Sequence, residues 1–139
     1  MALIEKIQSL VTASCTGYGF EYETRKMMNE KADNLPYPLV FFQEYTNARY
    51  TGKYNRKKTV QVQLSFQRLA PFQCDAIERE RIREQIEAEA VLPFVEALDK
   101  SPYFESVQDI DCPPEPPLYD ANAVGILLSF WVTFNVCSL

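Results

Sequence analysis

The stretch TVQVQLSFQ, Thr59 to Gln67, alternates without a break: Val60, Val62, Leu64 and Phe66 fall on one side of an extended chain, and Gln61, Gln63, Ser65 and Gln67 on the other. A period of two with one wholly apolar side predicts a strand that packs one face into a core. The second face carries no charge before Arg68, where a sheet that had only to stay soluble would more usually carry Lys, Glu and Thr. That row is expected to be solvated or covered by a partner.

Working outward, Val124 to Val136 alternates again, with Leu127, Ser129, Trp131, Thr133 and Asn135 on a side that is only half polar. Leu39 to Tyr45 reads as a strand launched by Pro36 and Pro38, and Phe104 to Asp111 as another. Between the first strand and Val60 lies TNARYTGKYNRKK, 46–58, whose length greatly exceeds a tight turn and predicts a long, mobile hairpin loop. Leu3, Ile4, Ile7, Leu10 and Val11 have the spacing of a helix face, ended by Thr16, Gly17 and Gly19. Asp75 is placed to cap a long helix that presents Ile82, Ile86, Ala90, Phe94 and Leu98 on one arc, with Glu80–Arg83 and Arg83–Glu87 at pairing distance and a break at Pro93. Tyr18 to Leu35 is mixed: Phe20 and Tyr22 alternate like a strand, and Thr24 to Ala32 has room for a turn or two of helix. In CPPEPPLYD, 112–120, four prolines exclude a central strand and predict a stiff connection. The order is α-β-β-α-β-β, which predicts an α+β fold: an antiparallel sheet of about four strands with helices packed on one face.

A chain of 139 residues is expected to form a single domain, 1–139. Its mixture of 47% hydrophobic and 24% charged residues argues against a disordered chain. VGILLSFWVTFNV, the longest apolar run, is interrupted by Ser129, Thr133 and Asn135 and falls short of a membrane span. MALIEKIQSL carries Glu5 and Lys6 inside its apolar pattern, so it reads as a helix and not as a signal peptide, and a cytoplasmic location is expected. There is no histidine, which removes Ser-His-Asp and Cys-His arrangements, and the four cysteines form no C-x-x-C pair, so free thiols are expected. No glycine-rich phosphate loop is present, and neither a cofactor nor a metal is expected.

Arg49, Tyr50, Lys53, Tyr54, Arg56, Lys57 and Lys58 form a basic, aromatic run on a chain of net charge −5. Such a run can track phosphates and stack bases, keep an exposed hairpin from aggregating, or dock on an acidic protein surface. Asp109 and Asp111 share one strand face but lack recognisable partner ligands, which favours a solvated strand end over a cation site. A small acid–base enzyme using these carboxylates or the tyrosines is the weakest reading. Trp131, beside Leu127 on the half-polar face, is either core or an interface anchor.

The order of an N-terminal helix, NEKADNLPYPLVFFQE, a basic hairpin, VQVQLSF, a long charged helix and a closing YDANAVGILLSFWVTF resembles the tail-terminator, or tail-completion, proteins of long-tailed bacteriophages and prophages. The likeness spans nearly the whole chain and is one of order and pattern; the PPEPP connection and the Tyr18 to Leu35 segment depart from it. It implies a non-enzymatic structural protein that forms a homo-oligomeric ring, commonly a hexamer. Such a ring caps the tail tube and meets the head connector, made in the bacterial cytoplasm and ending in the virion tail. By the same likeness, the loop from Arg49 to Lys58 would reach a neighbouring subunit or the tube protein. The sheet face with Gln61, Gln63, Leu127 and Trp131 would border a subunit contact or a passage through which DNA moves without specific binding. Neutral glutamines suit such a passage, because each firm phosphate contact would slow it. The alternative from the residues alone is a nucleic-acid-binding module built on the Tyr-bearing hairpin 49–58.

Overall fold

The computed structural model describes residues 2–31, 37–70, 74–115 and 123–136. In chain order the elements are α1 (Leu3–Ser14), β1 (Gly19–Glu23), α2 (Arg25–Lys31), β2 (Leu39–Gln43), β3 (Ala48–Thr51), β4 (Lys57–Leu69), α3 (Ala76–Ile86), a π-helical turn (Glu87–Val91), α4 (Leu92–Lys100), β5 (Phe104–Asp111), β6 (Pro114–Glu115) and β7 (Ala123–Asn135). The class is α+β.

The two strictly alternating segments form the spine. β4 and β7 pair antiparallel over thirteen positions, from Lys57 opposite Asn135 to Leu69 opposite Ala123. This register sets Val60, Val62, Leu64 and Phe66 across from Val132, Phe130, Leu128 and Ile126, so the apolar rows of both strands fall on one face. Slipping one strand by one residue would turn its apolar row to the opposite face from its partner's, which is why the register is strongly specified. β5 follows the expected bounds, Phe104 to Asp111, and lies along the outer edge of β7.

Among the described residues the sheet has seven strands and not about four, in the order β1-β2-β4-β7-β5, with β3 also on β4 and β6 also on β7. Three additions account for the difference. First, β4 begins at Lys57, three residues before the apolar alternation, and its opening residues pair with β3 from Ala48 opposite Val60 to Thr51 opposite Lys57. The stretch 46–58 is thus a hairpin with a short turn and not a long loop; Gly52 makes that turn possible with φ of +84°. Second, Pro114 and Glu115 pair with Ile126 and Gly125 at the sheet edge, where a proline is tolerated. The remainder of the proline-rich connection, 116–122, lies outside the described residues. Third, β1 pairs with β2 in parallel, Gly19 with Leu39 through Glu23 with Gln43, so the sheet is mixed and not wholly antiparallel. Phe20 and Tyr22 hold β1 there by packing edge-on against Phe42, at 6.5 and 4.9 Å between ring centroids.

Helices cover both faces and not one. α1 (through Leu3, Ile7 and Val11), α3 and α4 pack over the apolar rows to form the main core with Val40, Phe42, Leu64, Phe94 and Phe130. α2 sits on the opposite face, where Met28 closes over Leu39 and Phe41. Because Leu39 and Phe41 alternate with Val40 and Phe42, and all four are buried, β2 needs cover on both sides, and α2 supplies the second. Asp75 caps α3 as its position predicts, accepting from the Glu78 amide at 2.8 Å, and Arg83 pairs with Glu80 at 3.3 Å. The break at Pro93 takes the form of the π turn just before it, from which the helix runs on through the proline into α4. Among the described residues no helix is long and apolar enough to cross a membrane.

Candidate functional site

The face of the sheet opposite the main core divides into a closed end and an open end. At the closed end Ser65 and Gln67 are buried, together with Glu115, whose side chain is only 2% exposed. Glu115 Oε2 accepts from Ser65 Oγ and from Gln67 Nε2, the latter at 3.0 Å, and Oε1 pairs with the guanidinium of Arg25 on α2. The glutamine reaches the carboxylate because its cross-strand neighbour is Gly125: a Cβ there would lie 2.4 Å from Gln67 Nε2 and 2.7 Å from the Phe66 carbonyl oxygen. A buried carboxylate requires this many donors, and their union ties α2, β4 and β6 together. Sequence reasoning missed Arg25 and Glu115; a charge in a proline-rich run reads as solvated.

At the open end Gln61, opposite Trp131, and Gln63, opposite Ser129, are partly exposed. Asn47 Nδ2 donates to Gln61 Oε1 at 2.6 Å, Gln61 Nε2 donates to Ser129 Oγ at 3.4 Å, and Thr59 and Thr133 hydroxyls bond at 2.9 Å. The Arg49 guanidinium lies 5.7 Å from the Trp131 ring centroid, over a half-buried indole. Leu127 is also half-buried, so neither residue is fully core.

The basic run is contiguous in sequence and split in space. Strand parity sends Arg49 and Lys57 to the open polar face and Tyr50 and Lys58 to the helix-bearing face. Lys57 pairs with Glu105 of β5. Lys58 Nζ lies between the rings of Tyr45 and Tyr50, at 5.7 and 5.8 Å, beside a shallow pocket lined by Leu3, Tyr45 and Phe134. The turn holds Lys53, Tyr54 and Arg56 in solvent; Tyr54 is 90% exposed, with Lys53 Nζ 5.7 Å from its ring centroid.

Elsewhere, Asp109 and Asp111 are exposed on an irregular stretch of β5 where Asp109 takes φ of 56°. Among the described residues no cluster of three or more His, Cys, Asp or Glu is placed to hold a metal. Cys15, Cys74 and Cys112 are free thiols, and Cys137 lies outside the described residues. Burial raises the Cys15 thiol and the Tyr18 and Tyr103 hydroxyls above their ordinary ranges. Glu89 is held below the usual carboxylate range by a hydrogen bond from Gln85, with further help from Arg68, whose guanidinium is 2.8 Å away. These shifts all move the groups away from neutral pH and fix their charge states.

No protein-family model matches this chain, and no curated protein matches it.

Proposed function

We propose that this chain is a structural tail-terminator or tail-completion protein of a phage or prophage, which assembles as a hexameric ring at the end of the tail tube. The ring ends tube growth, meets the head connector and lets DNA pass. The observation that carries this reading is the coexistence of two unlike surfaces: an open sheet face that is neutral at Gln61 and Gln63, with Arg49 and Lys57 towards one end, and a basic hairpin turn projecting beside it on a chain of net charge −5. Head-to-tail rings are built from two different patches per subunit, and a passage for DNA is best lined by groups that do not grip phosphate. On this reading the protein acts through contacts alone, without a cofactor, during assembly in the bacterial cytoplasm and later in the virion tail.

Light scattering across a concentration series tests it, with a mass that rises and then levels at a closed ring as the expected outcome. A mass that stays at one subunit, together with no density at the tips of tail tubes mixed with the protein and viewed by electron microscopy, would sink the idea.

A second reading is favoured by the exposure of Tyr50 and Tyr54, 60% and 90%, close to Lys53 and Arg56, which have no ion-pair partner among the described residues: the hairpin stacks on bases of single-stranded nucleic acid. Replacing Lys53, Arg56, Lys57 and Lys58 with Ala then weakens oligonucleotide binding and lowers its salt slope. Absence of binding at low salt removes this alternative.

A further inference from the structure

A groove of about 170 Å³ runs between the π turn and α4 on one side and β5 and β7 on the other. Val91, Val95 and Leu128 line it, and Leu92 and Ile110 stand at its mouth, 52% and 41% exposed. Large apolar side chains gathered around one concavity mark a surface that gains by being covered. Among the described residues that line it, the charged one is acidic: Glu87 borders the groove and no Lys or Arg does, while the exposed Asp109 precedes Ile110 at the irregularity in β5.

The complementary set lies on the other edge of the β4–β7 pair, at the turn between β3 and β4. Tyr54 projects there as the most exposed of the large apolar side chains, between Lys53 and Arg56, neither of which has an ion-pair partner among the described residues. An aromatic ring with cations on both sides matches an apolar slot bordered by a carboxylate in polarity and in charge.

We propose that the groove receives Tyr54 of a second copy of this chain, with Lys53 and Arg56 set against the acidic side of the groove at Glu87. The choice of a second copy as occupant rests on the ring reading above. Knob and groove are different patches on opposite edges of each subunit, so the contact is heterologous and repeats around a closed ring or along a filament. The native Cys112 also lines the groove, which gives the contact a chemical reporter.

The experiment uses the full chain. Tyr54→Cys, under mild oxidation, is expected to form disulfide-linked dimers and larger species on a non-reducing gel, and Cys112→Ser in the same background is expected to abolish them. In light scattering, Tyr54→Ala is expected to raise the association midpoint about 30-fold, the concentration equivalent of about 2 kcal/mol. Circular dichroism should be unchanged, since the side chain is solvated. Lys53→Glu with Arg56→Glu should block association, and adding Glu87→Lys should restore part of it. A Tyr54→Ala protein that assembles like the parent overturns this contact and leaves the ring reading standing, and so does association that survives Tyr54→Ala but is lost in Leu92→Glu, which would assign the groove to another segment. A chain that stays monomeric in solution also overturns the contact, while the ring reading then stands or falls on the tube-end test.

Discussion

Gln61 and Gln63 lie on the same strand and the same face as Ser65 and Gln67, yet one pair looks outward and the other is sealed. All four side chains are polar and neutral. The difference lies in what stands opposite and above: Gly125 leaves room for Gln67 to reach the buried Glu115, whereas Gln61 and Gln63 stand opposite Trp131 and Ser129, away from that carboxylate. Neutral amides and hydroxyls suit both settings. At the closed end they satisfy a buried carboxylate, and at the open end they satisfy one another laterally, through Asn47, Gln61 and Ser129, without presenting charge. One alternating row therefore serves as an internal tie and as a surface.

That contrast can be broken most severely at Glu115. Glu115→Ala leaves Ser65 and Gln67 without their acceptor in a dry site and releases α2 from β6, and a loss of about 3–5 kcal/mol is expected from urea unfolding. Glu115→Gln keeps an acceptor and should lose clearly less; equal losses would mean that the carboxylate charge, and not the acceptor, is what the closed end requires. Gly125→Ala attacks the space and not the charge: the new methyl collides with Gln67, for an expected cost of about 1–3 kcal/mol by the same measurement. A Gly125→Ala protein as stable as the parent would show that Gln67 can turn aside freely. The smallest effect on stability is expected from Gln61→Glu with Gln63→Glu, within about 0.5 kcal/mol, because both positions are partly solvated. Their effect should fall on assembly instead, as a reduced mass in light scattering; unchanged assembly would make the open end a solvated face only.

Much of the architecture is legible in the residues. The alternation in β4 and β7 specifies both strands and the sides they bury, and it limits their register to even steps, of which the structure takes one. Helix α1, the Asp75 cap and the bounds of β5 also follow from local pattern. What the pattern hides is non-local. β3 is exposed on all four residues, so no periodic burial announces it, and it exists because the first residues of β4 reach past β2 and need an edge partner. The parallel pairing of β1 and the placement of α2 on the second face depend on the burial of Leu39 and Phe41, which a run such as LVFF signals only as two-sided cover, not by whom. For the candidate site, the hairpin residues were visible as a group, but strand parity separates Arg49 and Lys57 from Tyr50 and Lys58. Glu115 was invisible because its donors, Arg25, Ser65 and Gln67, come from two distant segments.

The π turn between α3 and α4 has a bearing on phase. Ile86 and Phe94, both fully buried against the same sheet, are eight residues apart. An α-helix turns about 100° per residue, so eight regular residues would set these side chains about 80° out of line. The turn from Glu87 to Val91 takes up one residue in a wider loop of backbone, and the seven that remain fall only about 20° short of two full revolutions. Two helical stripes that would otherwise diverge are kept in step by a single residue held out of the count.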